Sequence, residues 1–158
     1  MTHLTSKLLE ALAGRTLATA ESCTGGMIGQ MITAVPGSSN VYKGGIISYT
    51  NEIKHALLGV DTTLLETEGA VSAPVAKAMA EGARRALGAD IAVSVTGLAG
   101  PGGDDRGNPV GTVYIGYADD RGAEALGFHF TGDREAVRTQ ATEAAMKLVI
   151  SEYKKNTV

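Results

Sequence analysis

The chain contains one cysteine, Cys23, so no internal disulfide can form, and a reducing, cytoplasmic setting is the expectation. It has no tryptophan and only 4% aromatic residues, which argues against a stacking platform for single-stranded bases. Neither sign of charge dominates: 14 Lys and Arg stand against 17 Asp and Glu, for a formal charge of −3. That balance leaves no electrostatic footprint for a nucleic acid and none for an anionic membrane. No run approaches the ~18 apolar residues of a membrane span, and MTHLTSKLLEALAG lacks the charged-then-apolar pattern of a signal peptide. With no His-Glu-x-x-His, no paired histidines and no Cys-x-x-Cys, neither a protein-ligated transition metal nor another cofactor is expected.

Glycine is what the chain has in excess: 21 of 158 residues, clustered in GG and GPGG steps that mark tight turns. The length suits one domain over residues 1–158, with no internal repeat and no linker. Leu4, Leu8, Leu9 and Leu12 predict a short helix closed by Gly14, and TLATA (16–20) a strand. Ile28, Met31, Ile32 and Val35 predict a helix stopped by Pro36-Gly37. GGIISYT (44–50) reads as a second buried strand, and NEIKHALLG as a short helix with Ile53, Leu57 and Leu58 inward. Residues 61–71 read as a turn plus a short helix. A longer helix follows Ser72, with Val75, Met79, Gly82, Ala83, Ala86 and Leu87 as its buried stripe and Gly88 as its stop. DIAVSVTG (90–97) is a third strand. VGTVYIGYA (110–118) and EALGFHF (124–130) form a hairpin around Asp119-Asp120-Arg121-Gly122. A last helix runs from about Asp133, burying Val137, Ala141, Ala144, Ala145, Leu148 and Val149. Strands alternating with helices, then a hairpin, predict a three-layer α/β/α sandwich with a mixed, mostly parallel five-stranded sheet.

Ligands of open α/β sheets sit beyond the carboxyl ends of the strands. Three polar or glycine-rich junctions fall there. Glu21 to Gly26 offers Ser22 and the N–H groups of Thr24, Gly25 and Gly26, suited to a phosphate or a developing oxyanion. Equally, Thr24 is an N-cap and the glycines merely let helix and sheet touch. Ser48 to Lys54 carries Lys54, which is either a solvated helix lysine or, if desolvated, a neutral base. Tyr49 either donates to that network or fills space. Thr96 to Gly103 lets backbone approach a ligand, or is simply a surface loop. His3, His55 and His129 stand away from the glycine-rich junctions, so a Ser-His-Asp triad has little support. Arg134 and Arg138 lie at a helix start, where cations oppose the macrodipole; they either hold an anion or are exposed and screened by Asp133 and Glu135.

ESCTGG, GGIISYTNEIK, GAVSAPVAKAMAEGA, TGLAGPGG with PVGTVYIG, and FTGDREAVR together resemble the carboxy-terminal domain of the CinA family, competence-damage-inducible proteins whose catalytic members are nicotinamide-nucleotide amidases. The likeness runs from about residue 6 to 152, with five motifs in order. It implies an α/β/α sandwich, usually a homodimer, that hydrolyses nicotinamide mononucleotide to nicotinic acid mononucleotide and ammonia in pyridine-nucleotide recycling. It implies Ser22 as nucleophile, Lys54 as its base and Tyr49 as an assistant. Substrate contacts are expected from Thr24, Gly25, Gly26, Asn51, Gly97, Ala99, Gly100, Arg134 and Arg138. The glycine-rich turns would supply oxyanion donors, with the choice among them open. Many members carry this module behind a larger pyrophosphatase-like domain with no counterpart in these residues, so a stand-alone form is the expectation. The loop also departs from the family, reading DDRGNPVG where an acidic-lysine-proline run is frequent. Two rivals remain: a nitrilase-type hydrolase using Cys23 with Glu21 and Lys54, and a catalytically weak module that binds nucleotides or partner proteins.

Overall fold

The structure, a computed structural model, describes residues 1–157. Five strands form one sheet: β1 (Leu17–Glu21), β2 (Tyr42–Ile47), β3 (Ile91–Gly97), β4 (Thr112–Asp119) and β5 (Gly122–His129), in the order β2-β1-β3-β4-β5. β1 is parallel to β2 and β3, whereas the β3–β4 and β4–β5 pairs are antiparallel, so β4 alone runs against the rest. Helices α1 (Thr2–Ala11), α2 (Met27–Thr33) and α6 (Arg134–Thr157) cover one face. Helices α3 (Asn51–Leu58), α4 (Thr62–Glu68) and α5 (Ala73–Leu87) cover the other. The three-layer sandwich expected from the alternation of elements is therefore present. Among the described residues, no helix is long and apolar enough to cross a membrane.

The pleat assigns each strand residue to a layer. Leu17 packs with Leu8, Ile28, Ile32 and Val137, while Ala18 and Ala20 pack with Leu58, Val75 and Met79. β3 sits between two strands and beneath helices on both faces, and six of its seven residues are buried. Its burial is continuous rather than alternate, as for a strand covered on both sides.

Three sequence expectations are corrected. Residues 44–50 are not a buried strand: β2 ends at Ile47, lies at the sheet edge and alternates half-buried with exposed positions. An edge strand has a neighbour on one side only, and a run of apolar residues does not reveal that. Leu57 is 53% exposed, because the buried face of α3 is the Lys54–Leu58 pair one turn apart. Ala86 is exposed in the last turn of α5, where the stripe continues but nothing covers it.

Small residues let α5 approach its neighbours closely. A Cβ added at Gly82 would run into the backbone carbonyl of Leu58, at the end of α3. Ser94 Oγ donates to Ala76 O at 2.5 Å, joining β3 to the same helix. The Gly82 contact sets the depth at which α3 lies. Helix propensity alone favours Gly82→Ala by roughly 1 kcal/mol. The collision is with backbone, which cannot rotate away, so Gly82→Ala is expected to destabilise by about 1–3 kcal/mol in urea unfolding. A stabilised variant would show that α3 is free to shift.

Candidate functional site

Glu21 and Ser22 are adjacent at the end of β1 and leave the sheet on opposite faces. Glu21 falls on the face of Leu17 and meets the start of α2. It is 2% exposed, and its carboxylate accepts from the N–H groups of Gly26 at 3.2 Å, Ile28 at 2.9 Å and Gly29 at 3.1 Å. A buried carboxylate thus occupies the donors that a helix start leaves unpaired. Thr24 does not cap α2: the N-cap is Gly26, at φ +107°, and the wholly buried Thr24 Oγ1 has no hydrogen-bond partner among the described residues. Cys23 returns to the core beneath α2 and α6, where burial pushes its thiol up to about 11.

Ser22 emerges towards α3, which follows β2 after three residues. Thr50 caps that helix, its side chain accepting from Ile53 N–H, and Lys54 lies one turn further along. Lys54 is 2% exposed. Its Nζ donates to Ser22 Oγ at 3.1 Å and to the carbonyl of Ser48 at 3.0 Å. No carboxylate pairs with it among the described residues. Desolvation therefore disfavours the ammonium, and burial lowers the Lys54 pKa from 10.5 to about 8. The solvated reading of Lys54 is excluded by its burial. The pair can do base chemistry: a lysine that is partly neutral near physiological pH, in contact with a hydroxyl.

This pair opens into a cavity of about 1000 Å³ beyond the carboxyl ends of β1, β2 and β3. Tyr49, Asn51, Gly97, Ala99, Gly100 and Arg134 line it, as do Thr96 and Arg106. Thr24, Gly25, Gly26 and Arg138 lie outside its lining. The two α6 arginines turn to carbonyl groups. Arg134 donates to Gly100 O at 2.6 Å and to the Tyr49 hydroxyl at 3.1 Å. Arg138 donates to Cys23 O and Thr24 O, both at 3.0 Å, and so holds the turn that follows Ser22. Tyr49, 59% exposed, meets Arg134 at the rim and makes no hydrogen bond to Ser22 or Lys54. Of the histidines, His55 is in the cavity lining with its Nδ1 facing Val60 O, and His129 faces Val110 O.

Sequence reasoning missed Arg106. It donates to Thr67 O at 3.0 Å and also to Glu66 O, binding the 98–111 loop to the carbonyl end of α4. The available signal was Asp104, which accepts from Arg106 N–H and Asn108 N–H in a local turn. It also missed the Ser48 carbonyl as the second acceptor for Lys54, for which a sequence carries no signal. Among the described residues, no group of three or more His, Cys, Asp or Glu is arranged to hold a metal ion.

The Lys54 shift has a consequence for stability. The folded pKa, about 8, lies below the unfolded 10.5, so between them the unfolded chain holds more protons. Stability therefore rises from pH 8 towards 10.5 and is lost as pH falls back through 8. At neutral pH the charged form costs the fold on the order of 3 kcal/mol. Lys54→Met carries no proton there. Urea unfolding is expected to show the variant at least as stable as wild type at pH 7, with the advantage shrinking towards pH 10. A pH-independent difference would mean that Lys54 is not charge-stressed in the fold.

Residues 1–153 match the family described as the CinA C-terminal domain. A CinA-like protein of Geobacter metallireducens is 53% identical over 133 residues, covering 84% of this chain and 32% of that protein. One from Synechococcus is 55% identical over 133 residues, 83% of this chain and 32% of its own length. The chain thus spans about a third of these relatives. A solved CinA superfamily protein of Klebsiella pneumoniae superposes with a TM-score of 0.95 at 35% identity, covering 98% of both chains. The competence/damage-inducible protein CihA of Agrobacterium tumefaciens gives 0.89 at 37% identity, covering 95% of this chain and 93% of that one. This chain belongs to the CinA C-terminal domain family.

Proposed function

We propose that the chain is a nicotinamide-nucleotide amidase, hydrolysing nicotinamide mononucleotide to nicotinic acid mononucleotide and ammonia. The observation that carries this reading is Lys54 Nζ, buried with no counter-ion among the described residues, 3.1 Å from Ser22 Oγ at the floor of a large cavity. Neutral Lys54 takes the Ser22 proton, and Oγ attacks the carboxamide carbon. The Lys54 ammonium returns that proton to the departing nitrogen, and ammonia leaves an acyl-serine. Water then attacks the ester, with neutral Lys54 again as base, and releases the carboxylate. The Ser48 carbonyl orients Nζ throughout, since it accepts one of its hydrogens at 3.0 Å.

Cys23 is a weak rival. Its thiol is core-buried and its pKa is pushed up to about 11, so the thiolate needed for attack is scarce at neutral pH. Glu21, the carboxylate of the nitrilase-type scheme, is committed to α2. No observation favours a purely binding role over catalysis.

For the substrate phosphate, Arg134 is the candidate. It lines the cavity and uses two of its five N–H donors on Gly100 and Tyr49. Arg138 supports the turn instead. A homodimer belongs to the same proposal; Ile47 and Tyr49, 56% and 59% exposed beside the site, support it. Cytoplasmic residence does too, and neither a nucleic acid nor a membrane is proposed as a partner.

Ser22→Ala is expected to abolish ammonia release from nicotinamide mononucleotide, while Cys23→Ala keeps most of it. Wild-type kcat/KM should be low in acid and rise along a limb centred near pH 8, where Lys54 loses its proton. Lys54→Arg keeps the charge but supplies no neutral base, so a loss of about 10²–10⁴-fold in kcat is expected. An active Lys54→Arg enzyme would leave the base unassigned.

Arg134→Ala should weaken the mononucleotide by about 1.5–3 kcal/mol in KM or kcat/KM, and affect the phosphate-free riboside far less. Equal losses on both substrates would remove the phosphate role.

A further inference from the structure

A serine nucleophile leaves a negative charge on the former carbonyl oxygen, and catalysis needs N–H donors aimed where that charge develops. A strand-to-helix turn ordinarily offers them from the start of its helix. Here the N–H groups of Gly25 to Gly29 are already in use, while those of Cys23 and Thr24 have no acceptor among the described residues and only Cys23 of the two lines the cavity. Gly25 N–H donates to Ser22 O at 3.0 Å, and Met27 N–H to Thr24 O at 3.0 Å. Gly26, Ile28 and Gly29 donate to the Glu21 carboxylate. Thr24 is wholly buried and stands outside the cavity lining.

The neighbouring strand supplies an alternative. Leu98 N–H donates to Thr112 O at 2.9 Å, on the β4 side of β3. Backbone groups alternate along a strand, so Val95 and Gly97 face β1 instead. Val95 O bears this out by accepting Ser22 N–H at 3.0 Å. The next rung of that parallel ladder would join Gly97 N–H to Ser22 O. It is missing: the pairing ends at Glu21↔Val95, because Ser22 O has turned to Gly25. Gly97 N–H therefore faces the gap beside Ser22 with no acceptor among the described residues, and Gly97 lines the cavity. Adjacent strands lie ~4.8 Å apart, which sets this donor one strand spacing from the nucleophile's backbone. A side chain is excluded there, since an added Cβ would meet Val113 Cγ2 at 2.6 Å and Thr112 O at 2.8 Å.

We propose that the Gly97 N–H, released from the β1–β3 ladder where β1 bends away, is an oxyanion donor for the tetrahedral intermediate formed on Ser22. The inference rests on the reading of Ser22 as nucleophile. The donor is held by β3, paired through Gly97 to Val113 of β4, and needs no movement of the α2 turn when the carbonyl becomes tetrahedral.

The test uses the wild-type protein, because Gly97→Ala would collide with β4 whatever its chemistry. The probe is the ribonucleotide of pyridine boronic acid, with the boronic acid where nicotinamide mononucleotide carries its carboxamide. Ser22 Oγ gives a lone pair to boron, a B–O bond forms, the serine proton passes to Lys54, and nothing leaves. The product is an anionic tetrahedral boronate with a hydroxyl in the oxyanion position. Boron resonance reports the adduct and ¹H–¹⁵N spectra report the donors. The expected result is tetrahedral boron with the largest downfield amide-proton shift at Gly97, both lost in Ser22→Ala. Tetrahedral boron with Gly97 unmoved, and the shift at Cys23, Thr24, Ala99 or Gly100, would overturn this inference and leave the nucleophile standing. Boron that stays trigonal would remove the nucleophile and the inference together.

Discussion

The pleat of β1 is the constraint on which the rest of the site depends. Successive residues of a strand point to opposite faces, so Glu21 and Ser22 cannot share a layer. Glu21 enters the α2 layer, buried, and closes three N–H groups of that helix. Ser22 enters the α3 layer and meets Lys54. At seven residues, α2 is too short to be stable alone, so its start is held by the carboxylate and by core contacts of Ile28 and Ile32. The same carboxylate gives the turn after Ser22 a fixed shape, and Arg138 holds its outer carbonyls.

Lys54 shows the opposing demands of folding and chemistry. A buried ammonium with no carboxylate partner among the described residues weakens the fold, yet the same desolvation brings its pKa to about 8 and makes it a base. The fold holds this side chain in place by packing around it. Leu58 anchors the same face of α3, and the missing side chain at Gly82 lets α5 press against the helix end. Two acceptors, Ser22 Oγ and Ser48 O, then fix Nζ from β1 and from the residue after β2. Strain of this kind, stored beside a cavity, is characteristic of a functional site.

Around that pair the cavity is assembled by long-range polar contacts. Arg134 ties the start of α6 to the 98–111 loop and to Tyr49, and Arg106 ties the same loop to the end of α4. Both guanidinium groups spend donors on backbone carbonyls, which carry no formal charge. This resolves the cations at the α6 N-terminus: their heads leave the helix start and bridge to other elements. The fold is shared with CinA superfamily structures at TM-scores of 0.89 to 0.95, whereas the chemistry is argued from the residues of the cavity.

The sequence by itself determined the order of elements, the parallel arrangement of β1, β2 and β3, and which strand ends carry polar groups. Those follow from local periodicity and from the geometry of crossovers and hairpins, whereas Ser22, Tyr49 and Lys54 were joined as a set only by the resemblance to the CinA family. Tertiary structure alone decided what each of those groups faces. Helical spacing places Lys54 and Leu58 on one side of α3 but does not say whether that side meets a core or water; packing against β1 and α5 does. The N–H groups at Gly25 and Gly26 looked free because a sequence shows donors without their acceptors, and the Ser22 carbonyl and the Glu21 carboxylate claim them only once the turn is folded. Leu57 and Ala86 were misplaced for the same reason, since periodicity gives the direction of a side chain and only the neighbouring element supplies its cover.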